Sequence, residues 1–359
     1  MQDHARNGSF DTLRLLAALM VFHSHSFALA GLPEPQLPGF SWGGVAVTVF
    51  FAMSGYWVSR SALQRNLTSF AVARALRITP GLFVCCLVTI VICALATSEV
   101  VNDYLRDIET WRWLQNAFPF WIAQRGHLPG VFEDGAIQNP NGSLWTLPYE
   151  VFCYVLAALA ALFGPKGMRW AMAALAVFVV AALFGPLAGG SLRLTTLLDH
   201  KWLALFGGAF FLGAWLNGAS QRILAGLAAA AVIALVFTKG APTAAALAGV
   251  FLYGSLAIWA GQRLNLDRIV TRGRDISYGV YIYAFPCQQL AVRALPPHDA
   301  PSYAAYYSLA LAATLGFAWL SWVWIEKPAL TVKARLTSLI ERGVGRLRLP
   351  ALGPAGQRS

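Results

Sequence analysis

The stretch FDTLRLLAALMVFHSHSFALAG, residues 10–31, is long and apolar enough to cross a membrane as a helix. Two of its ionisable side chains, Arg14 and His25, are separated by almost three helical turns. A helix therefore projects both from one face, about 16 Å apart along its axis. Because ionisable groups inside a bilayer are costly, they are candidates for function. The stretch predicts a membrane-spanning helix with a functional face.

The rest of the chain is equally apolar. Of its 359 residues, 57% are hydrophobic and only 12% are charged, and the mean hydropathy is +0.57. A soluble domain carries about 25% charged residues. The predicted fold class is therefore all-α, a polytopic membrane protein with about ten transmembrane helices. The predicted spans are 11–30, 43–62, 79–97, 144–164, 168–186, 200–217, 221–237, 243–261, 276–295 and 303–325.

The basic residues orient these spans. With a cytoplasmic N terminus, most of the 27 lysines and arginines fall in inside segments, as the positive-inside rule requires. Both termini are therefore predicted to be cytoplasmic. The first span is expected to remain as an anchor, because it lacks a convincing signal-peptide cleavage site. The net charge of +11 fits basic cytoplasmic segments that attract anionic membrane lipids, and no nucleic acid partner is predicted.

One membrane domain, residues 1–330, is predicted to precede a basic cytoplasmic tail, residues 331–359. The tail is expected to begin as an amphipathic helix and to end in a disordered stretch. The five cysteines lie within predicted spans without metal-ligand spacing. They are therefore expected to pack as small apolar residues, and no metal site is predicted.

A buried acid–base pair is predicted between the first and fourth spans. His25 and Glu150 both lie about 8–9 Å below the outer surface, at 1.5 Å per residue. If the two helices are neighbours, the carboxylate raises the basicity of the imidazole, and the pair suits a general base acting on a hydroxyl. The alternative is a structural polar contact between two helices. His23 points about 200° away from His25 and is expected to make only a structural contact.

Arginines gather at the predicted cytoplasmic side. Arg74 and Arg77 are nearly one helical turn apart, so their guanidinium groups are suited to gripping phosphate. Ordinary positive-inside anchoring is the alternative interpretation. Arg14 either joins this basic mouth or pairs with Asp11 three residues earlier.

Other polar and aromatic residues are weaker candidates. Ser54 lies near the middle of the second span, where it is suited to lining a tunnel, and the neighbouring Gly55 is expected to serve close helix packing. Trp145, Tyr149 and Tyr154 flank Glu150 and are candidate substrate-binding residues. Trp145 also fits an interfacial aromatic belt. Glu326, at the inner end of the last span, is expected to form a structural ion pair with a cytoplasmic arginine.

Taken together, these strings resemble the integral-membrane acyltransferase family 3, the group of bacterial polysaccharide O-acetyltransferases. Arg14 and His25 are similar to its pattern of Arg or Lys, ten residues and His, and Arg74 and Arg77 are similar to its Arg-x-x-Arg pair. The remaining resemblances are FFAMSGYWVSR at 50–60, SLWTLPYEVFCY at 143–154, DISYGVYIY at 275–283 and WIEKPAL at 324–330. The chain departs from the family at Ala284, where a histidine is frequent, so no second catalytic histidine is assigned.

The resemblance implies an acyl-CoA donor, with acetyl the expected acyl group, and a sugar hydroxyl acceptor, extracytoplasmic or lipid-linked. It places the protein in the bacterial cytoplasmic membrane, with no permanently bound cofactor. His25 and Glu150 are then expected to be catalytic, while Arg14, Arg74 and Arg77 hold the donor. Direct transfer and an acyl-His intermediate both remain open. The competing hypothesis is a multi-span transporter with a His/Glu proton relay.

Overall fold

A computed structural model of the chain describes residues 8–119, 124–135, 137–185 and 198–347. In this part of the chain almost all regular structure is helical, and the only strands are β1 (Gln36–Leu37) and β2 (Phe40–Ser41), which pair in an antiparallel hairpin. The helices are α1 (Phe10–Leu29), α2 (Trp42–Gln64), α3 (Leu67–Cys93), α4 (Val101–Arg106), α5 (Ile108–Arg112), α6 (Leu147–Leu162), α7 (Gly164–Leu183), α8 (His200–Trp215), α9 (Gln221–Phe237), α10 (Pro242–Arg263), α11 (Ser277–Ala294), α12 (Ala300–Ser321), α13 (Lys327–Thr331) and α14 (Lys333–Leu347).

A long helix lies at each of the ten predicted spans. Among the described residues, six helical segments are long and apolar enough to cross a membrane by length and composition: Phe10–Leu29, Leu67–Cys93, Gly142–Leu162, Gly164–Leu183, Pro242–Arg263 and Ala300–Thr331. The prediction of an all-α, multi-pass membrane protein is therefore confirmed. The count of ten spans and the cytoplasmic termini stay predictions. Residue 186, the predicted end of the fifth span, and the tail residues 348–359 lie outside the described residues.

Two glycines allow α2 and α8 to pack with their backbones in contact. A methyl group added at Gly55 would lie 1.6 Å from the carbonyl oxygen of Phe210, and one at Gly213 would lie 1.9 Å from that of Ala52. Small residues serve this purpose in membrane helix pairs. The predicted packing role of Gly55 is confirmed, and so is that of the cysteines, which are all buried and unpaired by disulfides.

The segment between α10 and α11 fixes the start of α1. The carboxylate of Asp267 accepts hydrogen bonds from the backbone N–H of Thr12 at 2.8 Å, from its hydroxyl at 2.7 Å and from the N–H of Asp11 at 3.3 Å. The first N–H groups of a helix have no partner within the helix. Those of Asp11 and Thr12 donate instead to a residue that is distant in sequence. Ser9 completes the connection, since its hydroxyl accepts from the N–H of Leu266 at 2.8 Å. Arg14 is thereby held beside the start of α11.

The outer segment before α6 is fixed to α11. The side-chain amide of Asn141 donates to the carbonyl of Ile282 at 2.8 Å, and that of Gln289 donates to the carbonyl of Asn139 at 3.0 Å. A short 3₁₀ helix, Gly142–Thr146, then leads into α6. Its position sets the depth of every functional candidate on α6.

Candidate active site

A cavity of about 420 Å³ lies between the N-terminal ends of α1, α3 and α11 and the middle parts of α2 and α6. It brings together six of the residues that the sequence singles out: Arg14, Ser54, Arg74, Arg77, Glu150 and Tyr154. These come from four different helices, so their convergence is a property of the fold and not of any one motif. The volume is within the range of about 300–1,000 Å³ that is usual for small-molecule sites.

Two of the three predicted arginines are paired with carboxylates. Arg77 lies 2.6 Å from Asp275 and 3.5 Å from Glu326. Arg14 lies 3.4 Å from Asp11 and 3.9 Å from Asp275. The alternative interpretation of Arg14, as the partner of Asp11, is therefore confirmed, although Arg14 also lines the cavity.

Asp275 connects these two arginines and was not singled out in the sequence. Burial alone would raise the pKa of this carboxyl, but the positive charges of Arg77 and Arg14 outweigh burial and hold the pKa below its ordinary value. Asp275 is consequently ionised and neutralises both guanidinium groups in part. An aspartate next to a cluster of arginines, just before a span, was the available signal.

Glu326 belongs to the same ion-pair network as Arg77 and Asp275. It is 2% exposed and accepts a hydrogen bond from the hydroxyl of Ser321 at 2.9 Å. A π-helical turn, Trp322–Glu326, carries this side chain, and such turns often occur at functional sites. The predicted ion pair between Glu326 and an arginine is confirmed, and the partner is Arg77; the cytoplasmic position of this pair stays a prediction.

Arg74 differs from its neighbours. Within the described residues it has no carboxylate at ion-pair distance, and its buried Nε atom has no hydrogen-bond partner. Its guanidinium lies over the rings of Tyr154, at 5.6 Å, and Phe70, at 6.0 Å. Aromatic rings attract a cation but do not cancel its charge. Arg74 is therefore a half-buried cation of this cavity that remains available to an anionic ligand.

Glu150 lies deep in the cavity. One of its carboxylate oxygens accepts hydrogen bonds from the hydroxyls of Ser54, at 3.1 Å, and Tyr154, at 2.5 Å. Tyr154 in turn lies against Arg74, so the carboxylate and the free cation are linked through one phenol ring. Ser54 and Tyr154 thus position Glu150. These are two of the four residues predicted to bind substrate, and that role stays a prediction.

His25 lies outside this cavity, and the hydrogen bond predicted between His25 and Glu150 is wrong for this structure. The imidazole packs against the ring of Phe285, with centroids 5.1 Å apart, and its buried Nδ1 has no hydrogen-bond partner among the described residues. Phe285 also packs on Gly142. Glu150 follows Gly142 by four 3₁₀ steps and four α-helical steps, about 14 Å further along the axis. The predicted depth match fails because the helical segment begins earlier than Leu144 and its first part is 3₁₀ helix, which rises further per residue than an α-helix.

A hydrogen-bonded layer separates the cavity from His25. The hydroxyl of Tyr281 is 2.6 Å from that of Thr146 and donates to the carbonyl of Ser143 at 2.8 Å. Tyr281 and Thr146 both line the cavity, and Phe285 follows Tyr281 by one helical turn. We refer to Tyr281, Thr146 and Ser143 as the floor. The predicted catalytic roles of His25 and Glu150 stay predictions, on opposite sides of this floor.

Trp145 and Tyr149 do not reach the cavity. The ring centroids of Trp145 and Trp202 are 5.2 Å apart, and those of Tyr149 and Phe206 are 5.9 Å apart. The hydroxyl of Tyr149 also accepts from the N–H of Asp199 at 2.9 Å, just before α8. Both side chains therefore pack against α8 and not against the cavity. Their predicted substrate contacts stay predictions, without support from this cavity.

His23 behaves as expected for a residue on the other face of α1. Its ring contacts Phe27 and Trp42, each at 5.1 Å, and Tyr307 at 5.8 Å. It shares none of these contacts with His25. The prediction that His23 faces elsewhere is confirmed.

These features describe a multi-pass membrane protein with a buried basic cavity, and comparison with known proteins gives its class. The family model of the acyltransferase domain, acyltransferase family 3, matches residues 7–323. The chain therefore belongs to this family, and it is an enzyme that transfers acyl groups.

Two relatives are similar along nearly their whole length. The chain is 32% identical to an O-acetyl transferase of Shigella phage Sf6 over 344 residues, which cover 93% of this chain and 99% of the relative. It is 28% identical to nodulation protein 10 of Rhizobium leguminosarum bv. viciae over 374 residues, 93% of this chain and 95% of the relative. No solved structure matches the chain significantly.

Proposed function

We propose that this enzyme transfers an acyl group, expected to be acetyl, from acyl-CoA to a hydroxyl of an extracytoplasmic or lipid-linked sugar. Membership of acyltransferase family 3 and the full-length similarity to an O-acetyl transferase support the reaction class. The observation that supports the donor assignment is Arg74, a half-buried cation without a carboxylate partner among the described residues, which lines the same cavity as Glu150.

The cavity has the charge distribution that an acyl-CoA donor requires. Arg14, Arg65, Arg74 and Lys333 all line it, so phosphate groups at its mouth would meet several cations. The slender pantetheine arm would then extend past Arg74 toward Glu150 and the floor. On this proposal the mouth is cytoplasmic, both termini are cytoplasmic, and the enzyme resides in the bacterial inner membrane.

The transfer step requires the floor to open. The acceptor hydroxyl loses its proton to His25 as its oxygen bonds to the acyl carbon, and the carbon–sulfur bond of the thioester breaks. The proton then passes from the imidazole to the departing CoA thiolate. In the alternative order, His25 first takes the acyl group itself and the sugar hydroxyl attacks the acyl-imidazole. Glu150 would bind and orient the thioester end of the donor through its contacts with Ser54 and Tyr154.

Proteoliposomes that contain the purified protein test this function. Radiolabelled acetyl-CoA is supplied with a bacterial surface oligosaccharide, and mass spectrometry follows the acetyl mass on the glycan. We expect transfer by the wild type, no transfer by His25→Ala, and near wild-type transfer by the matched control His23→Ala. Retained transfer in His25→Ala at unchanged protein level would overturn the assignment of His25. Failure of the wild type with every acyl-CoA and glycan offered would overturn the function.

A further inference from the structure

The last described helix carries an exposed apolar stripe. α14 begins at Lys333, two residues after the end of Ala300–Thr331, one of the helical segments that are long and apolar enough to cross a membrane. Helical spacing places four apolar residues of α14 and the turn before it on one side. Each is 36–50% exposed: Val332, Leu336, Leu339 and Ile340. The described part of the chain therefore covers this stripe only in part.

The opposite side of α14 contacts the connection between α2 and α3. Asn66 caps α3 by accepting from the N–H of Ser69 at 2.8 Å, and its side-chain amide donates to Glu341 at 2.9 Å. Lys333 lines the cavity together with Arg65, which directly precedes Asn66. Because Lys333 and Glu341 are about 12 Å apart along the axis of α14, the helix runs along the surface at this connection and not away from it.

Basic residues border the stripe on both edges. On a helix with 3.6 residues per turn, Arg335 and Arg342 fall on one edge of the stripe and Lys333 falls on the other. Arg342 donates to the carbonyl of Ser338 at 3.1 Å and to its hydroxyl at 3.2 Å. Among the described residues, no carboxylate lies at ion-pair distance from either arginine. Both charges therefore remain available to anions outside the chain.

We infer that α14 is an interfacial helix that binds the anionic lipid surface on the side of the membrane where Arg65 and Lys333 lie. The apolar stripe would enter the boundary between headgroups and acyl chains, and Arg335 and Arg342 would contact lipid phosphates. The preceding span keeps α14 within reach of the bilayer. A second copy packed through the same stripe would bring like charges together at its edge, so the charge pattern favours lipid. Lipid binding by α14 does not depend on the proposed function.

Lipid binding would also fix the position of Lys333. Burial and the nearby charges of Arg65 and Arg74 lower the pKa of its ammonium group, as expected for a lysine that belongs to the basic cluster of the cavity. With the stripe in the membrane and Glu341 bonded to Asn66, α14 cannot carry Lys333 away from the cavity without losing both contacts. On the proposed function, release of α14 from lipid should therefore weaken donor binding.

Fluorescence of the full-length protein in vesicles tests lipid binding directly. Leu339→Cys is labelled with an environment-sensitive dye and reconstituted into mixed phosphatidylcholine and phosphatidylglycerol vesicles, in which one lipid or the other carries bromine as a quencher. The wild type gives the labelling background, because its cysteines are buried. We expect blue-shifted emission that both brominated lipids quench. The matched control Ala334→Cys, at an exposed position about 140° around the helix from Leu339, should report water.

The identity of the brominated lipid tests the role of charge. Quenching of the Leu339→Cys label should be several-fold stronger with brominated phosphatidylglycerol than with brominated phosphatidylcholine at equal content, because the arginines enrich the anionic lipid. Combined Arg335→Ala and Arg342→Ala substitutions should abolish this preference. Equal quenching by the two lipids in the protein with both arginines would overturn the assignment of an anionic lipid.

Two further outcomes would overturn lipid binding altogether. Emission typical of water at Leu339→Cys would show that the stripe stays outside the membrane, and blue-shifted emission that neither lipid quenches would indicate a protein partner such as a second copy. If Leu339→Cys fails to reconstitute, Leu336→Cys on the same stripe decides in the same way. The KM for acetyl-CoA is a separate measurement: failure of the wild type to transfer would reject the proposed function, whereas the quenching results would still decide lipid binding.

Discussion

Arg77 lies 2.6 Å from Asp275, and this pair divides the basic cluster into a structural part and a ligand-binding part. Arg77 is further paired with Glu326, so most of its charge is neutralised by the protein. Arg74, nearly one helical turn earlier on α3, lies over two aromatic rings and has no carboxylate at ion-pair distance among the described residues. A motif of two arginines therefore supplies two different functions from adjacent turns of one helix.

Replacement of Arg74 by Ala is expected to weaken donor binding without unfolding the protein. A charge-assisted contact to phosphate contributes about 1.5–3 kcal/mol, so the KM for acyl-CoA should rise roughly 10- to 100-fold. Steady-state kinetics over a range of acetyl-CoA concentrations measure this. Arg60→Ala, an exposed arginine on α2 that does not line the cavity, is the control. An unchanged KM in Arg74→Ala would place the donor phosphates elsewhere.

Replacement of Arg77 by Ala is expected to destabilise the fold. It leaves the 2% exposed Glu326 without its cation and Asp275 with only Arg14, at 3.9 Å, and breaking a buried ion pair costs about 3–5 kcal/mol. The thermal melting temperature in detergent, and the amount of protein in membranes, should fall well below those of Arg74→Ala. Equal melting temperatures for the two variants would contradict the division of roles.

Much of this arrangement is predictable from the sequence, because it depends on local periodicity. The positions of the long helices follow from runs of apolar residues, and the opposite directions of His23 and His25 follow from helical geometry. The cavity residue Glu150 is likewise found from its charge inside an apolar span, and Arg74 from its spacing to Arg77. In each case a few neighbouring residues contain the whole signal.

The pairing of His25 is not predictable in this way. It depends on where the helical segment of Glu150 begins, and that start is set by tertiary contacts of Asn141 and Gly142 with α11. Depth counted from an assumed helix end therefore places Glu150 too close to His25.

Tyr281→Phe tests the floor. The variant removes the hydroxyl that bonds to Thr146 and Ser143 but keeps the ring. On the proposed function, the donor thioester should then become more accessible to water from the His25 side, and acetyl-CoA hydrolysis without an acceptor should rise several-fold at unchanged KM. Thiol release measured in the absence of glycan follows this reaction. Tyr283→Phe, which stacks on Phe317 on the other side of α11, is the control, and equal hydrolysis in both variants would contradict a closed floor.

Gly55→Ala tests whether the contact between α2 and α8 holds the cavity together. The added methyl group would lie 1.6 Å from the carbonyl oxygen of Phe210, a backbone atom that cannot move without shifting α8. Overpacking of this kind costs about 1–3 kcal/mol, or more when backbone must move. Because Gly55 directly follows Ser54, the shift should also break the hydrogen bond from Ser54 to Glu150. We expect a lower melting temperature and loss of acyl transfer, whereas Gly226→Ala on α9, with no atom within 4 Å of the new methyl group, should leave both unchanged. A stable and active Gly55→Ala variant would show that the two helices are further apart than the structure places them.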